Sequence, residues 1–82
     1  MIVLKIKVAS KLDDYLKSRG IMKKWLAEQI ECDVSQISKW CKNDKNGIAT
    51  STPSVGYLLR MKKVLDCELN EIFEEIHTES DK

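Results

Sequence analysis

Two short amphipathic patterns lie in GIMKKWLAEQIECDVSQISKWCKN, residues 20–43, separated by only three or four residues. The first places apolar side chains on one helical face. The second does the same after Asp33, a residue type that favours the start of a helix. Ala27 is small and inward-facing, so a second helix can cross the first closely and at a steep angle. The spacing therefore predicts a helix-turn-helix, whose apolar positions are Leu26, Ala27 and Ile30, followed by Val34, Ile37, Trp40 and Cys41.

Length and composition favour one small folded domain. The chain has 82 residues, of which 43% are hydrophobic and 33% charged, a balance typical of soluble globular proteins. Its longest uncharged apolar run, residues 1–4, is far too short to span a membrane. Lys5 and Lys7 interrupt that run too early for a secretory signal, so we expect a cytoplasmic protein with no membrane partner.

The three cysteines and the one histidine do not indicate a metal or redox site. Cys32, Cys41 and Cys67 are widely spaced within apolar patterns, and no CxxC pair is present. We expect buried thiols in a reducing compartment, no metal ligands and no cofactor. His77 has no partner pattern and is expected on the surface.

Charge is divided unequally along the chain despite a net charge of only +1. Residues 1–63 carry +7 and residues 64–82 carry −6. The basic part contains the helix-turn-helix, as a nucleic-acid partner would require. The acidic part is interpreted mainly as a solvated face, although it could also repel phosphate and so orient the domain.

The first eight residues, MIVLKIKV, have a strand pattern. Leu4, Ile6 and Val8 alternate with lysines, and every element expected downstream is helical. The strand therefore has no evident partner in its own chain, and an isolated strand is unstable in water. We expect it to pair with the same strand of a second copy, forming a homodimer through Leu4, Ile6 and Val8. A frayed arm or an extension of the first helix remains the alternative.

Helical spacing continues on both sides of the helix-turn-helix. The expected inner faces are Leu12, Tyr15 and Leu16 in the first helix, Val55, Leu58, Leu59, Met61 and Leu65 in the fourth, and Leu69, Ile72, Phe73 and Ile76 in the fifth. Ser10 is expected to cap the first helix, with Asp13 reaching back as in a capping box, and Gly20 to end it. Asn46-Gly47 marks a turn within a polar loop. The five predicted helices cover about 11–19, 22–30, 34–42, 55–65 and 69–77. The fold class is thus all-α, a compact five-helix helix-turn-helix domain (10–77) with an added N-terminal β-strand or arm (1–9) and an acidic tail (78–82).

Several segments in combination resemble the lambda-repressor and Cro-like helix-turn-helix family over roughly residues 11–76. They are Gly20-Ile21, Leu26-Ala27-Glu28, Val34-Ser35-Gln36-Ile37-Ser38-Lys39-Trp40, Pro53-Ser54 and Leu69-Asn70-Glu71-Ile72-Phe73. The resemblance implies five helices and a DNA-binding transcriptional regulator, a repressor of bacterial or phage type that needs no cofactor.

Three departures from that family pattern bear on binding. Glu31 stands where such proteins usually have the turn glycine, so the turn must accept a side chain. Lys23 replaces a glutamine that commonly contacts phosphate, which keeps a donor but makes the contact a point charge. The 44–52 segment is longer than usual, and the N-terminal strand lies outside the pattern, so the family's dimer geometry does not transfer.

The third helix is expected in the major groove, with its first turn against base edges. Val34 would contact a thymine methyl, Gln36 an adenine and Lys39 a guanine, while Ser35 makes adaptable hydrogen bonds. Ile37 and Trp40 point into the core by periodicity.

Cations flank this helix on both sides. Lys23 and Lys24 lie in the first turn of the second helix, where free backbone amides would also meet phosphate. Lys42, Asn43 and Lys45 would contact the opposite strand. Trp25 has no settled role: it could cover the N-terminal strand, pack under the long loop or contact a second copy.

These residues predict a sequence-specific double-stranded-DNA-binding regulator acting as a homodimer on a palindromic operator, with half-sites about 34 Å apart. The alternative is a protein-interaction module, such as an antitoxin or anti-repressor with the same fold. An enzyme is disfavoured because no phosphate loop, nucleophile–histidine pair or catalytic carboxylate pair is present.

Overall fold

The computed structural model describes residues 5–78, with side chains described between residues 7 and 76. Five helices lie between two strands in this part of the chain. The elements are β1 (Lys5–Ser10), α1 (Leu12–Ser18), α2 (Lys23–Ile30), α3 (Val34–Trp40), α4 (Val55–Leu65), α5 (Leu69–Ile72) and β2 (Phe73–Thr78). Helices dominate, as predicted, but the fold is not all-α because a two-stranded sheet joins the ends of the domain.

The core is formed by the inward faces that helical periodicity predicted for α1, α2 and α3. Leu12, Leu26 and Ile37 are fully buried. Burying such side chains contributes about 1.5–3 kcal/mol each to folding. The prediction was less accurate for α4, where Val55 is 70% and Leu59 56% exposed. Among the residues whose side chains are described, the buried core cluster consists of Leu12, Tyr15, Leu16, Leu26, Ala27, Ile30, Ile37, Trp40, Met61, Leu65, Cys67 and Ile72.

The sheet corrects two sequence-based expectations. The fifth helix ends at Ile72 after a single turn, and Phe73 adopts extended backbone angles (φ −139°, ψ 142°). The chain then pairs antiparallel with β1, in a register from Lys5↔Thr78 to Ser10↔Phe73. The prediction of a helix over 69–77 is therefore wrong, and so is the expectation that β1 lacks a partner in its own chain. Pairing with β2 satisfies the backbone groups that an isolated strand would leave open.

The second edge of β1 is also bonded within the chain. The Ala49 N–H donates to the Val8 carbonyl over 2.7 Å. Asn43 Oδ1 accepts from the Ser10 N–H at 2.8 Å, and Asn43 Nδ2 donates to the Ser10 carbonyl at 3.0 Å. These bonds remove the physical reason for pairing β1 with a second copy at this end of the strand.

The structure gives a different position for each of the three residues expected to form that dimer contact. Leu4 lies outside the described residues. For Ile6 the structure describes only the backbone, which pairs with His77 of the same chain. Val8 lines an apolar groove of its own domain, together with Thr52, Pro53, Leu58, Leu69 and Phe73.

The start of α1 also differs from the expectation. Ser10 ends β1, and the residue before the helix is Lys11, which makes no side-chain capping bond. The Ser10 hydroxyl instead donates to the Trp40 carbonyl at 2.5 Å and accepts from the Leu12 N–H at 3.4 Å. Ser10 therefore connects the sheet to α3 rather than serving only α1. Gly20 ends this segment with φ +67°, as predicted.

The polar segment after α3 contains a turn held by one carboxylate. Asp44 Oδ1 accepts from the N–H groups of Asn46 and Ile48, and Gly47 has φ +80°. Asn43 and Ala49 form a β-bridge across the turn. The hydrogen bond from Ala49 to Val8 attaches this loop to β1. Lys45 is exposed within the turn that Asp44 holds.

Candidate nucleic-acid interface

The helix-turn-helix is formed by α2 and α3, joined by residues 31–33. Glu31 takes the left-handed conformation (φ 61°, ψ 54°) that usually favours glycine, as the sequence predicted for this turn. Its N–H donates to the Ala27 carbonyl, which closes the last turn of α2. The side chain is thus accepted at the turn, at some cost in backbone strain.

Arg60 of α4 braces this turn from outside. Its guanidinium Nη1 donates to the Ile30 carbonyl at 3.2 Å and lies 3.7 Å from Glu31 Oε1. A cation at the C-terminal end of a helix is favoured by the helix dipole and by the unbonded carbonyls there. Sequence reasoning missed Arg60 because its partners lie about thirty residues away along the chain.

The outward face of α3 carries the four side chains predicted to reach base edges. Ile37 is fully buried and Trp40 is 3% exposed, which fixes the inward face of the helix. Val34, which the apolar pattern also placed on the inner stripe, is 47% exposed. The predicted base-contacting residues are therefore all exposed: Val34, Ser35, Gln36 and Lys39.

Trp40 anchors this helix to α4. Its ring lies 5.4 Å from that of Tyr57, centroid to centroid, in a tilted arrangement. Such aromatic pairs contribute about 0.5–1.5 kcal/mol beyond the area they bury. The Ser10 hydroxyl also donates a hydrogen bond to the Trp40 carbonyl, so the end of α3 is attached to both α4 and β1.

One flank of the recognition face is acidic. Gln36 lines a shallow surface groove that also includes Tyr57 and three carboxylates. The carboxylates belong to Glu28, Glu31 and Asp33, and Asp33 precedes α3 without making a side-chain capping bond. The sequence pattern indicates Asp33 only as a cap and does not predict this grouping, because Glu28 belongs to the preceding helix and Glu31 to the turn.

The other flank is basic. Lys42, Asn43 and Lys45 follow α3 and are exposed, so the structure keeps this predicted phosphate-contacting group on the surface. Asn43 differs from the lysines because its amide already bonds the Ser10 backbone. An amide nitrogen carries two N–H groups, and Ser10 occupies one of them.

Lys23 and Lys24 begin α2, as predicted. The residue before them, Met22, makes no side-chain capping bond, and the first turn of α2 contains no acid. Its free N–H groups therefore add to the lysines as donors for an anion. Lys24 is exposed, whereas Lys23 is half-buried beside Asp13 of α1.

Asp13 holds two lysines at once. Its Oδ2 lies 3.0 Å from Lys17 Nζ, and its Oδ1 lies 3.5 Å from Lys23 Nζ. A hydrogen bond from Lys17, joined by the charges of both lysines, holds the pKa of this carboxyl below its usual value. Asp13 was expected to reach back to the start of its own helix. That expectation is wrong because the carboxylate faces these cations instead.

Trp25 is 43% exposed and lines a shallow groove with Gly20, Ile21 and Met22. The apolar rim of this groove lies next to the lysines that begin α2. A role of Trp25 in covering the N-terminal strand, packing under the long loop or contacting a second copy stays a prediction.

The thiols are protonated at neutral pH. Burial raises the pKa of Cys32, Cys41 and Cys67. Only Cys67 is fully buried, whereas Cys32 and Cys41 are half-buried, contrary to the expectation for all three. Within residues 5–78, no three His, Cys, Asp or Glu side chains are grouped as a metal ion would require. None of the described helices has the length and apolar character needed to cross a membrane.

Comparison of the sequence with curated proteins and with solved structures finds no match. A family model for the Cro/C1-type HTH DNA-binding domain matches residues 11–77, which include all five helices and most of β2. The family consists of DNA-binding domains rather than enzymes. With a fold built around α2 and α3 and a match over most of its length, the chain belongs to the Cro/C1-type helix-turn-helix DNA-binding domain family.

Proposed function

We propose that this protein is a sequence-specific transcriptional repressor that inserts α3 into the major groove of double-stranded DNA. The observation that carries the proposal is the division of α3 into two faces. Ile37 and Trp40 fix one face in the core, and four side chains able to contact bases occupy the other. Repression would follow where α3 occupies an operator and the bound protein excludes polymerase from it.

Base contacts would come from the first turns of α3. The Gln36 amide suits a bidentate contact with adenine, and the Lys39 ammonium suits guanine O6 and N7. Ser35 can donate or accept, and the Val34 methyls can contact a thymine methyl. Each good contact would contribute about 1–3 kcal/mol of discrimination between bases.

Phosphate contacts would come from both ends of the motif. Lys23 and Lys24 would bind one strand together with the free amides of α2, and Lys42, Asn43 and Lys45 the other. These contacts are independent of sequence and set the register of α3 in the groove.

A single domain of this kind covers one half-site, so we propose that two copies bind a palindromic operator with half-sites about 34 Å apart. Because β1 pairs with β2 on one edge and its Val8–Ser10 end is bonded within the chain on the other, we do not propose that the two copies exchange this strand. Binding to DNA is consistent with action in the cytoplasm.

Selection of binding sites from a random duplex pool, followed by footprinting, tests the proposal directly. We expect an enriched palindrome and a steep loss of affinity as salt rises, because phosphate neutralisation releases counterions. Gln36→Ala and Lys39→Ala should relax the preference at individual base pairs. Lys63→Ala removes the same charge from an exposed site on α4 and serves as the control.

Failure to enrich any sequence, together with weak binding that salt hardly changes, would contradict the proposal. That result would favour the alternative of a protein-interaction module with the same fold.

A further inference from the structure

The first turn of α2 offers a phosphate both lysines and free amides, yet one of its two cations is already engaged. Lys23 Nζ lies 3.5 Å from Asp13 Oδ1, and its side chain is 39% exposed. No carboxylate of α2's own first turn takes part, since that turn contains no acid. The negative charge beside Lys23 is therefore supplied by another helix, α1.

The Asp13 carboxylate is ionised under physiological conditions and held in place. Lys17, one helical turn later, lies 3.0 Å from the other oxygen, Oδ2. Lys17 is 75% exposed, so it orients the carboxylate from the solvent side while Lys23 meets it from the protein side. A hydrogen bond from Lys17 and the charges of both lysines keep the pKa of Asp13 low, so the carboxylate carries its full charge at neutral pH.

The pair lies at one end of the helix-turn-helix. Lys23 is the first residue of α2, and the carboxylate 3.5 Å from it belongs to α1. The contact is therefore made at an end of the motif proposed to bind DNA.

We propose that Asp13 lowers the affinity of this domain for DNA by competing with a backbone phosphate for Lys23. The inference rests on the proposed function. In the free protein Lys23 pairs with the carboxylate, and on binding it must exchange that partner for a phosphate oxygen. The effect on affinity is small because both side chains are partly solvated. Removing the Asp13 charge should therefore tighten DNA binding by about two- to fivefold.

Asp13→Asn tests this without changing the shape of the side chain. Asp14→Asn is the matched control, because Asp14 is exposed, adjacent in α1 and identical in charge. Affinity is measured by fluorescence anisotropy on a mixed-sequence duplex of roughly 20 base pairs, which suffices because phosphate contacts do not depend on sequence. Salt is varied between about 50 and 200 mM.

We expect Asp13→Asn to bind about two- to fivefold more tightly than Asp14→Asn at the lowest salt, with a steeper dependence of affinity on salt. In a Lys23→Gln background the two variants should become equal, because no cation remains for Asp13 to hold. Circular dichroism checks that each variant is folded. Asp13→Ser is a second neutral variant, since serine is tolerated in a first helical turn.

Equal affinities of Asp13→Asn and Asp14→Asn would overturn the inference while leaving the proposed function intact. Weaker binding by Asp13→Asn would also overturn it, because the carboxylate would then be positioning Lys23 for phosphate. Absence of binding by the unsubstituted protein, even at the lowest salt, would overturn both.

Discussion

The side-chain amide of Asn43 bonds both backbone groups of Ser10, accepting from its N–H at 2.8 Å and donating to its carbonyl at 3.0 Å. Asn43 lies just beyond the recognition helix, and Ser10 ends the first strand. The pair therefore connects the sheet to the part of the fold expected to meet DNA. Because the Ser10 hydroxyl also bonds the Trp40 carbonyl, three hydrogen bonds at Ser10 join the strand to the end of α3 and to the segment that follows it.

Asn43→Ala should destabilise the domain. It removes one donor and one acceptor from partly buried backbone groups, which we expect to lower the free energy of unfolding by about 1–2 kcal/mol. Urea denaturation followed by circular dichroism measures the change. Asn70→Ala, at an exposed position in α5, should change stability far less. Equal effects of the two substitutions would show that the amide contributes nothing beyond a surface side chain.

Glu31→Gly and Glu28→Gly should have opposite effects on stability. Glu31 has φ 61°, where glycine carries no steric penalty, so we expect Glu31→Gly to stabilise by up to about 1 kcal/mol. The ion pair with Arg60 is lost, but both side chains are well exposed, so this offsets little of the gain. Glu28 lies inside α2, where glycine costs about 1 kcal/mol. Thermal unfolding compares the two, and destabilisation by both would contradict the strain assigned to Glu31.

Deleting residues 1–8 should impair folding rather than only dissociate a dimer. The deletion removes most of β1, which leaves the inner edge of β2 and the Ala49 N–H without their partners. We expect a lower melting temperature or loss of a cooperative transition, measured by circular dichroism. Sedimentation velocity at the same concentration supplies the second readout. An unchanged melting temperature together with conversion of a dimer to a monomer would instead support strand exchange between copies.

Acid should reveal the contribution of the Asp13 ion pairs. The folded-state pKa of this carboxyl lies below its ordinary value of 3.8, so its stabilisation is present above that value. The stabilisation is lost as the pH falls through the folded-state pKa. We therefore expect the unsubstituted protein to be more stable than Asp13→Asn at neutral pH, with the difference shrinking as the pH falls below about 4 and vanishing only below the folded-state pKa. Denaturation curves at several pH values measure it, and a constant difference would exclude Asp13 as the titrating group.

Local sequence pattern was sufficient for α1, α2 and α3 and for most of the candidate site. Helical periodicity correctly placed Ile37 and Trp40 inside, because the inward face of a helix must be apolar, but it also placed Val34 there, and that side chain is 47% exposed. The same pattern was less informative on α4, where Val55 and Leu59 fit the apolar spacing but lie in solvent. An apolar residue at helical spacing shows where a core could form, not which neighbour covers it.

Residues 69–78 show most clearly where local pattern fails. Ile72, Phe73 and Ile76 have the spacing of a helical stripe, yet only Ile72 is helical. The alternative conformation depends on β1, which is more than sixty residues away in sequence, and a pairing over that distance leaves no local signal. Two of the wrong predictions, the long fifth helix and the strand without a partner, arose from this one contact.

By itself, the amino-acid sequence determined the helix-turn-helix, its buried face and the exposed residues of α3, because helix periodicity, caps and turn residues act over a few neighbouring positions. Tertiary structure alone decided that β1 pairs with β2, that Arg60 braces the end of α2 and that Asp13 faces Lys23. Each of those contacts joins segments whose meeting depends on how the helices pack. The interactions that stabilise these contacts therefore form only when the helices pack into the core.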